Sequence, residues 1–501
     1  GASARIETIR TGFSYIGLLG SGKEVIMAHK GPPYDFMMST NSTKGSGTWT
    51  GVNADATLLV DGEQALWGRI ATGGSDGNSI HLIANYFTDP IINGMKSPMI
   101  YSRSTNAGAS WDLKSVMLPK YDTTRYLEGG GESYAIDAEG STVAILHGDI
   151  DEDVVLWKST DNGTTFLRTF VDSFAFAPSI DITGGPTDTA VTSDGAMDVV
   201  IAPNGTVHVA YSIVRVVNGG YFPGDYGLVY WNDAAKKQVD IPILDAVIDA
   251  AINGGNNNGA YDVGSASLLI SSSGTPPNSR YGNKAILSIP SIAVDGNNVF
   301  ILFSLITDGD STSDGKSFRD IWVVASQDGG VTFGAIQNVT CTAGEEEYFG
   351  SLAKRVDNNL HILYHSDTEP GTALQNGHQI SSFEVYWAVL NKAKVLSGTA
   401  NCSAAWLGVA EQTTPTFNVS EVYPNPTNGN TYFDVTMKQN ATITLEIFNS
   451  IGQQVYTSAG KLTIGKHTLS VDARTFSTGL YFYTIKGGDA SVVSGKITVV
   501  E

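Results

Sequence analysis

The sequence predicts an all-β protein built as a six-bladed β-propeller followed by a small immunoglobulin-like β-sandwich. Three observations carry that reading. A strand–turn–strand unit recurs six times, the chain is rich in strand-forming aromatics and turn-forming glycine (Tyr 21, Phe 19, Trp 8, Gly 56), and the composition changes sharply near residue 412. With 501 residues, 42% hydrophobic and 16% charged, the chain holds enough apolar material for large buried cores, which excludes global disorder. Its formal charge of −20 repels phosphate backbones and argues against a nucleic-acid partner. No run of 18 or more apolar residues is present, so no transmembrane helix is expected. Two cysteines, Cys341 and Cys402, cannot build a disulfide scaffold. They pair if the compartment is oxidising and otherwise stand as buried thiols.

Each repeat has an apolar strand, a Gly/Asn/Asp turn and a second strand ending near an aromatic or His. The first runs Phe13 to Leu19, turns at Gly20-Ser21-Gly22 and returns from Glu24 to His29. The others turn at Asp76-Gly77-Asn78, Glu139-Gly140, Pro203-Asn204-Gly205, Asp295-Gly296-Asn297 and Asp357-Asn358-Asn359, where positive φ is tolerated. Third strands are expected at Tyr34–Met38, Pro98–Ser102, Val154–Trp157, Gly227–Trp231, Asp320–Ala325 and Phe383–Val389. Four-stranded repeats of about 60 residues are what radial sheet packing requires. This unit should span 1–408, with an insertion at about 241–288 in the fifth repeat. Five or seven blades follow instead if the first segment supplies a strand to the last blade.

After several third strands comes a recurrent turn, S-x-D-x-G-x-T-[FW]. It is complete at Ser159, Asp161, Gly163 and Phe166 and at Ser326, Asp328, Gly330 and Phe333. It is a close variant at Ser104, Asn106, Gly108 and Trp111, and a degenerate copy at Ser39 to Trp49. The Asp and hydroxyl side chains can satisfy turn backbone, Gly takes the positive-φ position and the aromatic packs inward. The pattern resembles the Asp-box of sialidase-like propellers, a folding device with no implied catalytic use.

A polar linker (409–420) leads to the tail at 421–501. Alternating strands with turns about every ten residues read as a small sandwich. Four segments stand out: Tyr423-Pro424-Asn425-Pro426, Ile451-Gly452-Gln453-Gln454-Val455, Gly479-Leu480-Tyr481-Phe482-Tyr483 and Gly495-Lys496-Ile497-Thr498-Val499. In order and spacing they resemble the type A C-terminal sorting domain of the type IX secretion system. The resemblance implies a bacterium of the Bacteroidota group, handling by the type IX machinery, a signal peptide removed before Gly1, and delivery to the cell surface or the medium. An accessory carbohydrate-binding sandwich is the competing reading.

Loops can be sorted by face. The strand one–two turns and the S-x-D-x-G turns share one face; the long loops 86–97, 213–226, 304–319 and 366–382 and the insertion share the other, where ligands are expected. Before first strands on that face lie Arg69, Glu132, Tyr134, Asp194, Glu346, Glu347 and Tyr348; after second strands lie His147, Asp149, Asp151, Arg215, His365 and Asp367. Glu132, Asp194 and Glu347 are the carboxylates that a glycosidase could use. Arg69, Tyr134, His365 and the loop aromatics Tyr221, Phe222 and Tyr226 are binding candidates. Sialidase-like enzymes require an arginine cluster and an F-R-I-P start, and both are missing. Glu345-Glu346-Glu347 reads as a solvated acidic run. Asp308, Asp310 and Asp314 could hold a structural Ca²⁺, the one cofactor suggested, although their spacing departs from an EF-hand. His81, His208 and His361 share a strand-two position and read as structural hydrogen-bonding residues. No P-loop, dinucleotide fingerprint, zinc cluster or G-x-S-x-G elbow occurs. The resulting expectation is a secreted, non-catalytic surface protein that binds a glycan or protein or self-assembles; the alternative is a sialidase-like exo-glycosidase.

Overall fold

The computed structural model describes residues 9, 11–51, 63–87, 94–126, 129, 131, 133–150, 152–174, 189–217, 220–241, 285–313, 316–371, 383–406, 417–420, 422–449, 453–487 and 492–500. It divides into two compact units, Arg5–Gly408 and Val409–Glu501.

The first unit is a succession of six four-stranded antiparallel sheets. Sheet one holds β1–β4 (Thr11–Leu18, Glu24–Lys30, Asp35–Thr43, Ser46–Thr50). Sheet two holds β5–β8 (Ala65–Gly73, Ser79–Tyr86, Met99–Ser104, Leu113–Val116). Sheet three holds β9–β12 (Tyr134–Glu139, Thr142–His147, Val154–Ser159, Leu167–Asp172). Sheet four holds β13–β16 (Thr189–Ile201, Val207–Val217, Gly220–Asn232, Gln238–Asp240). Sheet five holds β17–β20 (Leu287–Asp295, Asn298–Ser311, Ser317–Ser326, Gln337–Asn338). Sheet six holds β21–β24 (Glu346–Leu352, Asn359–Asp367, Glu384–Asn391, Ala405–Trp406). A five-residue helix, α1 (Lys392–Leu396), is capped by the Asn391 side chain.

Two loops expected on the ligand face are hairpins instead. Strand β14 runs on to Val217 and pairs with β15 from Gly220, and β18 runs to Ser311 opposite Ser317. The β-branched residues Ile213, Val214, Val216 and Val217, and Ile306 and Thr307, keep the second strand extended past the point where the repeat pattern ends. The degenerate segment Ser39–Trp49 is a β3–β4 hairpin in which Asn41 and Gly45 bond the Glu24 carboxylate.

The first strand of every sheet is an edge strand, and consecutive first strands lie against one another. Their free amides are met by side chains from the neighbouring sheet. Trp67 N–H donates to His29 Nδ1 (3.2 Å), and Tyr134 O–H to the Trp67 carbonyl (2.7 Å). Farther round, Ile201 N–H donates to Asp137 (2.7 Å), Ile292 N–H to Asp198 (3.0 Å) and Leu352 N–H to Ser291 Oγ (3.0 Å). Lys354, after β21, crosses to the carbonyls of Ile136 (3.2 Å) and Val199 (2.6 Å). Burial disfavours its charge, but Asp198 and Asp137 outweigh that and raise its pKa.

The S-x-D-x-G turns tie sheets together on the other side. Asp161 accepts from Thr165 N–H (2.8 Å) and Thr165 O–H (2.7 Å), and Ser159 Oγ accepts from Gly163 N–H (2.8 Å). Asp328, Thr332, Ser326 and Gly330 repeat the pattern. These bonds, first of all that from Thr165 N–H, hold the Asp161 carboxyl down at about 2. Gly163 (φ +75) lies so close to Tyr101 that a Cβ would sit 2.0 Å from its hydroxyl, and Gly330 (φ +86) meets Tyr230 in the same way. Each tyrosine is bonded to the strand-two histidine of its own sheet, His81 to Tyr101 (2.7 Å) and His208 to Tyr230 (2.7 Å). Burial lowers both imidazoles to about 4, so they are neutral structural groups, as their position suggested. His361 departs from this: it sits beside Asp357 and stacks on Trp387.

Cys341 and Cys402 are disulfide-bonded, 61 residues apart, and join the segments flanking β20 and β24. The tail is a two-layer sandwich of β25 (Phe417–Val419), β26 (Asn430–Met437), β27 (Ala441–Asn449), β28 (Gln454–Leu462), β29 (Gly465–Asp472), β30 (Gly479–Gly487) and β31 (Val492–Val499). One sheet has the order β25-β26-β29 and the other β28-β27-β30-β31, around Phe433, Val435, Ile443, Leu445, Tyr483 and Ile497. Asn425 stitches the entering segment to the last strand through Lys496 O (3.0 Å) and Thr498 N–H (2.8 Å), which gives the Y-P-N-P motif its structural purpose. Gly495 lies under the Tyr483 ring, where a Cβ would come within 2.4 Å of the hydroxyl.

Two stability changes are expected. Lys354→Met, which strips two carbonyls of their donor and unpairs Asp198, should cost about 1–3 kcal/mol by denaturant melts. Cys341→Ser should cost up to about 4 kcal/mol from the lost loop constraint, and reductant should destabilise wild type but not this variant.

Candidate functional site

A feature that no sequence pattern announced lies at the beginning of the first strands. Register breaks fall between Gly12 and Tyr15, Leu66 and Arg69, Ser193 and Met197, Ser288 and Ser291, and Tyr348 and Ser351. Within them Phe13, Trp67, Gly195, Ile289 and Phe349 take φ between +50 and +80. A bulge re-aims a side chain, and holding a bulky residue there costs roughly 1–3 kcal/mol. This end of the sheets is therefore the place to look for function.

Two aromatic groups form there. In the first, Phe13 stacks on His29 (5.6 Å between centroids), and the Trp67 indole lies against Gly131. The Arg69 guanidinium sits 5.4 Å from the Tyr134 ring and 6.0 Å from that of Tyr15 while bonding the Tyr134 carbonyl. Arg69 and Tyr134, both named from the sequence, are thus brought together. In the second group, His365 stacks on Phe383 (4.4 Å) and packs edge-on to Tyr348 and Phe349. Phe349 and Phe383 are 39% and 44% exposed, and burial lowers His365 to about 4, so this is an uncharged aromatic ledge.

The acidic candidates are placed differently from expectation. Asp194 is fully buried, accepting from Ala285 N–H (3.0 Å), Ser288 O–H (2.7 Å) and Ala196 N–H (2.8 Å); it ties sheet four to sheet five. Glu345-Glu346-Glu347 is not a solvated run. Strand β21 starts at Glu346 and carries both Glu346 and Glu347 to zero exposure. Glu346 receives Arg319 Nη1 (2.9 Å) and the Arg319 N–H (2.8 Å). Glu347 lies between sheets five and six, facing Thr340, Thr342 and Asp320. Burial, reinforced by the Asp320 charge and opposed by Thr340, pushes its carboxyl up to about 9. Asp320 is itself filled by donors from Asn338 (2.8 Å), Thr340 (3.2 Å) and Thr342 N–H (3.2 Å). Arg319 had no sequence signal, because a charged residue in a third strand ordinarily points to solvent.

Among the remaining candidates, His147 bonds Glu152 (2.9 Å), Asp149 accepts from Ile150 N–H and Asp367 from Glu369 N–H. Glu132, Asp151 and Asp314 lie outside the described residues, as do the side chains of Arg215, Tyr221, Phe222, Tyr226 and Asp308. Asp310 accepts from Gly344 N–H (3.0 Å). Among the described residues, no group of three or more His, Cys, Asp or Glu is placed to hold a metal ion.

Residues 421–500 match the family described as the secretion system C-terminal sorting domain. The tail is an export address, and the protein is a cargo of type IX secretion destined for the cell surface or the medium. No helix among the described residues is long and apolar enough to cross a membrane. No curated protein matches the chain in sequence. Among solved structures, it is similar to a protein of unknown function from Dyadobacter fermentans (11% identity, 91% of this chain and 96% of that one, TM-score 0.38). It is also similar to an ulvan lyase (11% identity, 92% and 95%, TM-score 0.42) and to Trypanosoma rangeli sialidase (10% identity, 98% and 85%, TM-score 0.38). Likenesses this distant say nothing of chemistry.

The Glu347 proton yields a pH prediction. The folded chain holds it to about 9 while the ordinary value is 4.5, so folding takes up a proton between those values and stability falls as pH rises across the window. In Glu347→Gln the decline in melting temperature from pH 5 to pH 9 should flatten; an unchanged slope would remove Glu347 from this role.

Proposed function

We propose that the first unit is a six-bladed β-propeller with Asp-box turns that acts as a secreted, non-catalytic binding module, joined to an immunoglobulin-like sorting domain. Its ligand, a glycan or a surface protein, seats on the ledge made by Phe349, Phe383 and His365, with the Arg69–Tyr134 group beside the neighbouring first strands. The observation that carries this reading is a contrast. Asp194 and Glu347, the described carboxylates a glycosidase would use, have zero exposure, while the rings on the same end of the sheets are open. Two carboxyls must flank a glycosidic bond to cleave it; flat exposed rings suffice to stack on a sugar or an apolar side chain. Adhesion and self-assembly at the cell surface belong to the same class of activity, and a structural Ca²⁺ at Asp308, Asp310 and Asp314 remains part of the proposal.

One observation favours the exo-glycosidase alternative: a carboxyl held protonated at neutral pH, as Glu347 is, has the property a general acid needs. Assays separate the two. Glycan-array and calorimetric binding should weaken about tenfold for each of Phe349→Ala and Phe383→Ala, with no turnover of aryl glycosides, sialosides included. Turnover that disappears in Glu347→Gln or Asp194→Asn would overturn the binding reading in favour of the enzyme.

A further inference from the structure

The two layers of the tail are unequal, three strands against four, and the shortfall lies beside β29. Among the described residues that strand pairs with β26 alone. The bonds of β26 show which β29 groups are free of the ladder. Asp434 O accepts from Ser420 N–H, and Tyr432 exchanges both backbone bonds with Tyr423, so these even-numbered residues face away from β29. Phe433 and Val435 therefore bond Leu469 and His467, their register partners. In an antiparallel ladder the alternate residues turn the other way, which points the backbone groups of Thr468 and Ser470 out of the open edge.

Beside that edge is a groove of ≈ 220 Å³ whose lining is part apolar (Ile443, Leu445, Leu469) and part hydroxyl-bearing (Ser458, Thr468, Ser470). It exists because β28 carries Ser458 beside Leu445 and Gly460 beside Ile443 of β27 in the same sheet, two small residues next to large ones at the edge of that layer. A Cβ at Gly460 would meet nothing within 4 Å. An open strand edge beside a slot that offers apolar contacts from Ile443, Leu445 and Leu469 is the geometry for strand addition.

We propose that this groove takes an extended strand from a component of the export apparatus, paired to β29, with apolar side chains at alternate positions filling the space over Gly460 and Ser458. The proposal rests on the sorting-domain reading of the tail. A second copy of the chain fits less well: its own β29 already commits Leu469 and Val471 to its own core and has no side chains left to insert. A free extended segment has them.

Two substitutions in the full-length chain test this, with export measured as the fraction reaching the surface or medium of a host carrying the secretion system. Ser470→Pro removes an outward amide and leaves the β26 ladder intact, a position where an edge strand tolerates proline. Gly460→Val fills the groove. Each should reduce export by about tenfold or more while the melting temperature and circular dichroism of the purified chain stay as in wild type; should Ser470→Pro unfold the tail, Gly460→Val decides. Wild-type export of the folded variants, with export abolished by deletion of residues 421–500, overturns the groove proposal alone. Export that survives the deletion overturns the sorting reading on which it rests. A concentration-dependent dimer in sedimentation that Ser470→Pro dissolves would assign the groove to a second copy and overturn the free-strand proposal.

Discussion

Six edge strands lie side by side in the first unit, and each carries a row of amides and carbonyls that no ladder can use. Left in a packed interior, such groups cost about as much as lost hydrogen bonds. The chain meets them one seam at a time with a side chain from the sheet next door: His29 for Trp67, Asp137 for Ile201, Asp198 for Ile292, Ser291 for Leu352. Lys354 adds a donor from the sixth sheet to carbonyls of the third and fourth. The packing of the sheets serves this need, because the first strands are completed by side chains from other sheets.

The opposite side of the sheets solves a different problem, that of holding a turn rigidly against another sheet. An aspartate and a serine consume the turn's amides, so the glycine at its tip can rest on a tyrosine of the preceding sheet. That tyrosine is in turn held by a neutral histidine. The device couples local turn chemistry to packing between sheets, and it occurs at Tyr101 beneath Gly163 and at Tyr230 beneath Gly330. The disulfide adds a covalent tie between sheets five and six, in keeping with export to an oxidising environment.

Function divides along the same line between satisfied and unsatisfied groups. Buried carboxylates in the first unit have become structural: Asp194 joins two sheets and Glu346 neutralises Arg319. What stays open is aromatic, at the bulged ends of the first strands. In the tail, among the described residues, the open element is the β29 edge beside a slot of mixed apolar and hydroxyl lining. These are the two surfaces to which the proposals assign partners, one flat and ring-lined, the other an open strand edge.

Composition, the six turns and the alternating strands determined the all-β class, the repeats and the S-x-D-x-G turns, because these depend on residues close together in the chain. The sorting motifs were legible as an ordered, spaced pattern, although what Asn425 does there, bonding Lys496 and Thr498 on the last strand, only the fold shows. The sequence misjudged what depends on distant neighbours. Glu346 and Glu347 look like a solvated run until Arg319, 27 residues away, and a packed sheet enclose them. Bulges at Phe13, Trp67 and Phe349 have no sequence signature, since the positive φ falls on bulky residues that only the surrounding packing can hold there. Burial and strain are properties of the assembled sheets, and only the tertiary structure could decide which acids were hidden and which rings were left in the open.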